Sequence, residues 1–213
     1  MAARVKICGV TTAAAIGAAV AGGASHLGFN FFPPSPRGLS FDQAAALAAT
    51  VPDHVARVGV FVDPDEDLLA GAIAAGRLTA IQLHGSESPA EAAAHRRRHG
   101  LELWKVIAVR TRTDLEAARA YKGIADRILY DAKTPKGSAL PGGMGLRFDW
   151  KLLEGFDHPL PWALSGGLDA ENVGDAIGIT GARLVDVSSG VESAPGVKDV
   201  DKIAAFMQAV ARS

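Results

Sequence analysis

The sequence predicts an α/β chain folded as a single (β/α)8 TIM barrel, and two observations carry that expectation. Short runs of Val, Ile, Leu and Phe alternate with Ala-rich segments of helical length eight times in 213 residues, the pattern of repeated βαβ units around a parallel sheet. Polar and ionisable residues gather just after those runs, at the end where the loops of such a barrel converge. A doubly wound open sheet is the alternative, but no G-x-G-x-x-G follows the first strand.

Taken in order, the first strand is Val5–Cys8, a β-branched run that sets the chain's only cysteine before Gly9. Thr11-Thr12 then supplies a cap for a helix over Thr12–Ala21. The later strands fall at Leu27–Phe32, Arg57–Asp63, Ala80–His84, Leu103–Val109, Arg127–Asp131, Trp162–Ser165 and Leu184–Ser188. Helices are expected over Phe41–Ala49, Glu66–Ala75, Pro89–His99, Asp114–Tyr121, Asp149–Glu154, Ala170–Ala176 and Asp199–Ala211. The Pro/Gly-rich stretches Pro33-Pro34-Ser35-Pro36 and Pro135 to Gly145 each leave a strand and enter a helix. They read as long loops on the functional face rather than joints between domains. The expected unit is therefore one domain over residues 1–213.

Composition narrows the function classes. With 48% hydrophobic and 21% charged residues the chain is of ordinary globular make-up, not disordered. A net charge of −1 offers no electrostatic footprint for nucleic acid or an anionic membrane. The apolar run from Ala13 to Gly23 is far shorter than the ~20 residues a spanning helix needs. One cysteine permits no internal disulfide, and no long apolar stretch precedes the first strand, so a cytoplasmic protein is expected. The expected partner is a small phosphorylated molecule, with no nucleic acid and no membrane, and the chain is expected as a monomer or homodimer. His95 and His99 have a metal-binding spacing, but Arg96-Arg97-Arg98 between them marks a solvated outer helix face, and no metal is expected.

The strand ends hold the chemistry. Cys8 reads either as a small buried hydrophobe or as a thiol at the ligand-binding end of strand one. Asp131 closes the apolar run Arg127-Ile128-Leu129-Tyr130, where burial raises a carboxyl pKa toward that of a general acid; a capping aspartate is the equal alternative. Gly142-Gly143-Met144-Gly145, Gly166-Gly167 and Ser188-Ser189-Gly190 follow three consecutive strands. Glycine lets backbone N–H groups approach an anion, so the three loops together suggest a phosphate cradle. Arg37, stiffened by Pro36, is suited to bidentate capture of a carboxylate. Lys6 shares the face of Cys8 and needs a carboxylate partner if that face points inward.

These residues sit in motifs that resemble the phosphoribosylanthranilate isomerase family along the whole chain. The motifs are Val5-Lys6-Ile7-Cys8-Gly9-Val10-Thr11, Gly28-Phe29 through Ser35-Pro36-Arg37, Val58-Gly59-Val60-Phe61-Val62, Ile81-Gln82-Leu83-His84-Gly85, Gly142 to Trp150, Leu164-Ser165-Gly166-Gly167-Leu168, and Asp186 to Glu192. The resemblance implies a cofactor-free Amadori rearrangement of N-(5-phosphoribosyl)anthranilate to a 1-deoxyribulose phosphate in tryptophan biosynthesis. It further implies Cys8 as general base, Asp131 as general acid and Arg37 as the holder of the anthranilate carboxylate. Gln82 and Asp186 match residues lining the sugar site. The backbone of Gly143, Gly145, Gly166, Gly167, Ser189 and Gly190 matches the phosphate grip. Three departures from the pattern stand out: Met144 in place of a small Thr or Ser, no acidic pair after Thr12, and the insert Ser138-Ala139-Leu140-Pro141. A related barrel of histidine biosynthesis ends strand one with Asp rather than Cys8. A non-catalytic phospho-ligand-binding barrel would need neither Cys8 nor Asp131.

Overall fold

The computed structural model describes residues 3–135 and 142–213. Eight parallel strands close on themselves in sequence order. They are β1 (Arg4–Cys8), β2 (His26–Asn30), β3 (Ala56–Phe61), β4 (Ala80–Leu83), β5 (Glu102–Val109), β6 (Arg127–Ala132), β7 (Trp162–Leu164) and β8 (Leu184–Val187). Closure comes from β1 pairing with both neighbours: Lys6 lies opposite His26 of β2 and opposite Asp186 of β8. The (β/α)8 barrel expected from the alternation is therefore the fold.

Side-chain alternation divides the apolar residues between two compartments. Val58, Ala80, Trp104, Val106, Leu129, Ala163 and Leu184 form one buried cluster, contributed by β3 to β8 and filling the barrel's interior. Their alternates, such as Ile7, Leu27, Ile81, Leu103 and Ile128, join the larger cluster between the barrel and its helices.

The helices are α1 (Ala13–Ala21), α2 (Phe41–Ala48), α3 (Glu66–Gly76), α4 (Pro89–His99), α5 (Val173–Thr180) and α6 (Val200–Ala211). Local chemistry starts several of them: Thr12 caps α1, and Ser40 and Ser88 form capping boxes with Gln43 and Glu91. On α4 the two histidines are not on a solvated face. His99 and Arg98 reach Glu66 of α3 at 3.0 and 2.8 Å, and His95 faces the same carboxylate at 4.0 Å.

Two expected helices are 3₁₀ segments, Arg112–Tyr121 and Trp150–Leu153. The first returns the chain along the eight-residue β5. At about 2.0 Å per residue a 3₁₀ turn covers more ground than an α-helix at about 1.5 Å. Trp150–Leu153 ends at Gly155, whose φ is +61°, too soon for an α-helix to establish itself. The helix expected at Ala170–Ala176 begins later because Asp169 accepts from the amides of Glu171 and Asn172, which holds that stretch in a turn. It runs on past Gly178 to Gly181, whose φ of +68° provides the left-handed cap. A short antiparallel hairpin, β9 (Glu192–Ala194) and β10 (Val197–Lys198), was not expected and lies beside the site. The insert Ser138-Ala139-Leu140-Pro141 falls outside the described residues. Among those described, no helix is long and apolar enough to cross a membrane.

Candidate active site

Parallel strands in a closed barrel all end on one face, so the residues that terminate them meet without being neighbours in sequence. Cys8 of β1, Arg37, Gln82 of β4, Asp131 of β6 and Asp186 of β8 line one pocket there, together with Gly143, Gly145, Gly166, Gly167 and Ser189 of the glycine loops. Gly190 does not line it. Any Cβ at Gly190 would lie 1.9 Å from the Leu168 carbonyl oxygen, so this glycine serves the close packing of the loop after β8 on the loop after β7.

Cys8 faces the pocket with partial exposure, and its side chain is packed against Gly28 of β2. A Cβ on Gly28 would come within 2.7 Å of the thiol sulfur and 3.2 Å of Lys6 Nζ. Lys6 is completely buried and donates to Asp186 Oδ1 at 2.8 Å, which identifies the partner the sequence left open. Ser165 donates to the other oxygen, Oδ2, at 3.1 Å. Burial alone would lower the Lys6 pKa, yet the attraction of Asp186 and the neighbouring thiol raise it to about 12. For Cys8 the balance runs the other way. Burial pushes its pKa up and the Asp186 carboxylate adds to that, against the pull of Lys6 and Lys198. Its surroundings in the free site therefore favour the neutral thiol. Asp186, expected to line the sugar site, borders the pocket and also pairs with the buried Lys6.

Asp131 is 6% exposed, with Oδ1 accepting from the amide of Ala132 at 2.8 Å. Oδ2 points into the pocket, 3.4 Å from Nε2 of His84. A capping role thus accounts for Oδ1 and leaves Oδ2 without a hydrogen bond among the described residues. Gln82 is 1% exposed and its buried Oε1 has no hydrogen-bond partner among the described residues.

Arg37 is almost fully buried and held from behind. Its Nε and one terminal nitrogen donate to Glu192 at 2.7 and 2.8 Å, and that nitrogen also reaches the Gly143 carbonyl at 3.1 Å. Lys198 donates to the same Glu192 carboxylate at 2.7 Å. Burial opposes ionisation of Glu192, but the Arg37 hydrogen bond and the Lys198 charge outweigh it and lower the pKa. Glu192 and Lys198 were assigned no role from sequence. The signal available was only that two charged residues follow the last strand within a short Gly-containing hairpin.

The glycines at the other side have the conformations the cradle requires. Gly143, Gly145, Gly166 and Gly167 all have positive φ, between +63° and +94°. Among the described residues, the amides of Gly166 and Gly167 donate to no protein acceptor. Two unpaired amides on residues that line the pocket are a ready site for an anion. Met144 is 49% exposed and borders the pocket, while Gly143 and Gly145 on either side of it keep the positive φ of the loop. Among the described residues no group of three or more His, Cys, Asp and Glu side chains is placed to hold a metal ion.

Residues 5–209 match the family model described as N-(5'phosphoribosyl)anthranilate (PRA) isomerase. N-(5'-phosphoribosyl)anthranilate isomerase of Zymomonas mobilis subsp. mobilis is 53% identical over 211 residues, 99% of both chains. The crystal structure of phosphoribosyl anthranilate isomerase from Thermotoga maritima superposes with a TM-score of 0.87 at 35% identity, covering 99% of this chain and 100% of that one. A second solved isomerase, in complex with reduced 1-(o-carboxyphenylamino)-1-deoxyribulose 5-phosphate, gives a TM-score of 0.85 at 33% identity over 99% of this chain and 100% of its own. By family match over nearly its whole length, by identity to relatives and by fold, this chain is an enzyme of the N-(5'-phosphoribosyl)anthranilate isomerase family.

Proposed function

We propose that the chain acts as one catalytic domain in the cytoplasm, and that it converts N-(5-phosphoribosyl)anthranilate to 1-(2-carboxyphenylamino)-1-deoxyribulose 5-phosphate by an Amadori rearrangement. The observation that carries the reading is the convergence of a thiol, a half-free carboxyl group and unpaired loop amides on one pocket, Cys8 and Asp131 coming from different strands.

The phosphate sits on the amides of the glycine loops after β6, β7 and β8, and Arg37 receives the anthranilate carboxylate. Asp131 Oδ2 gives its proton to the ribose ring oxygen, the C–O bond of the ring breaks, and the anthranilate nitrogen carries the resulting positive charge as an iminium ion. Cys8 as thiolate removes the proton from the adjacent sugar carbon, whose electrons neutralise the iminium and leave an enol-amine. Ketonisation moves a proton from the enol oxygen to the carbon next to nitrogen, so the product is an isomer of the substrate. Burial favours the neutral thiol in the free site, so the iminium charge of the bound intermediate supplies the field that draws Cys8 to the thiolate, its S–H proton passing to solvent.

The test is turnover followed by loss of anthranilate fluorescence, with the imidazole substrate of the related histidine-pathway rearrangement run alongside. Cys8→Ser and Asp131→Asn should each lower kcat by ~10²–10⁴ with KM changed much less. Either variant turning over within tenfold of the parent enzyme removes the corresponding role. Absence of turnover by the unmodified protein leaves only a phospho-ligand-binding barrel.

A further inference from the structure

Aspartic acid is an awkward store for a proton at neutral pH. With a reference pKa near 3.9 it carries its proton in roughly one molecule in a thousand at pH 7, whereas imidazole near 6.5 carries one in roughly a quarter. His84 brings an imidazole to the acid. Its Nε2 lies 3.4 Å from Asp131 Oδ2 and is buried without a hydrogen-bond partner among the described residues. Nδ1 also bonds to nothing there, but unlike Nε2 it is not shut off from solvent. Gly142 covers the pair: a Cβ at that position would stand 2.7 Å from Asp131 Oδ2 and 2.8 Å from His84 Nε2, so a side chain there would push the two apart.

The segment bearing His84 is anchored with unusual thoroughness for a surface loop. The His84 amide donates to the Phe61 carbonyl at 2.8 Å. Just beyond, Glu87 Oε1 accepts from the amides of Asp63 and Gly85 at 2.8 and 3.1 Å. Its Oε2 accepts from Lys105 Nζ at 2.7 Å, and Lys105 also donates to the Gly85 carbonyl at 2.8 Å. Both members of that ion pair are buried. A buried ion pair is a costly way to stabilise a fold but an effective way to specify one geometry. Here the geometry specified is the loop that leads away from the imidazole.

We propose that His84 is a positioning residue for Asp131, holding the exchangeable proton of an Asp131–His84 pair and so keeping the general acid loaded at neutral pH. This rests on Asp131 being the acid. The imidazolium Nε2–H bond breaks as the Asp131 Oδ2–H bond forms, and Asp131 passes that proton to the ring oxygen. The neutral imidazole regains a proton from water once product leaves. The groups around the pair in this pocket are Cys8 from β1, Arg37 after β2, and Asp186 from β8, the last already neutralised by Lys6. Around the backbone of the loop, Lys105 from β5 is paired with Glu87, and the Asp63 carboxylate accepts from the amide and hydroxyl of Ser86. Loss of the shared proton disables the acid, so its effect is read on the alkaline limb of kcat.

The experiment is the pH dependence of kcat and KM for His84→Gln, with His84→Asn as a second variant should the first fold poorly, each also made in the Asp131→Asn background. His84→Gln should move the alkaline limb at least one pH unit toward acid and lower kcat about tenfold at pH 7.5, leaving KM within twofold. In the Asp131→Asn background, followed at enzyme excess in a single turnover, the same change should cost nothing more. A limb that stays in place, or equal losses with and without the Asp131 carboxyl, overturns the proposal. Wild-type kcat in Asp131→Asn alone has a different meaning: it removes the acid itself, and His84 with it.

Discussion

Arg37 and Glu192 are joined by two parallel hydrogen bonds, Nε to Oε1 at 2.7 Å and a terminal nitrogen to Oε2 at 2.8 Å, across 155 residues of sequence. The bidentate pair fixes the plane of the guanidinium before any ligand arrives, and Lys198 shares the carboxylate so that the cluster keeps positive charge facing the pocket. The binding group is thereby preorganised, which reduces the entropy lost when a carboxylate docks.

Arg37→Ala should raise KM about ten- to a hundredfold while leaving kcat within a fewfold, because a charge-assisted hydrogen bond is worth ~1.5–3 kcal/mol and lies away from the bond being rearranged. Glu192→Gln should give a smaller KM increase in the same direction by loosening the guanidinium. Steady-state kinetics in which kcat collapses and KM holds would refute the assignment for Arg37.

Beneath the thiol, Lys6→Met strands the Asp186 carboxylate in the interior. The expected cost is ~3–5 kcal/mol of unfolding free energy, read from urea denaturation. Adding Asp186→Asn should recover a large part of it by removing the stranded charge. Independent, additive losses from the two substitutions would show that the pair is not the source.

Inorganic phosphate should compete with substrate at the glycine loops, since free amides bind the anion whatever is attached to it. Gly166→Val is a poor probe of this, because a Cβ there would meet the Ala132 nitrogen at 2.8 Å and disturb β6 itself. Ser189 lines the pocket, its hydroxyl 3.5 Å from where a Cβ at Gly145 would lie. Ser189→Asp should therefore weaken phosphate inhibition at least tenfold through charge repulsion. An unchanged inhibition constant would place the anion elsewhere.

Acid should destabilise the barrel through His26. Burial first, and then the charges of Arg4, Arg127 and Lys6, lower its pKa from 6.5 to about 3, while in the unfolded chain it titrates normally. Between those values the unfolded state binds the extra proton, so stability is complete above pH 6.5 and falls as pH drops toward 3. The slope from one such group is about 1.4 kcal/mol per pH unit. His158, lowered to about 4 by burial, adds to the same limb. Thermal midpoints from pH 7.5 to 4.5 should drop steadily for the parent and less steeply for His26→Gln; parallel curves would show that His26 is not the proton-linked group.

The sequence by itself determined the barrel and the membership of its active face. Alternation of β-branched runs with Ala-rich segments is a local property, and in a parallel barrel the residue after each strand belongs to one face whatever the loops do. Cys8, Arg37, Gln82 and Asp131 could thus be brought together on paper from their places in the chain. Tertiary structure alone decided whom they touch. Lys6 found Asp186 because closing the barrel sets β1 beside β8, and Arg37 found Glu192 because a two-stranded hairpin after β8 folds back toward the loop after β2. The protonation of Cys8 was likewise beyond the sequence: its pKa depends on how much protein surrounds the sulfur and how far away the ammonium groups lie, and neither quantity is local. The same holds for His84, legible as a strand-end residue but informative only once its nitrogen stands beside Asp131.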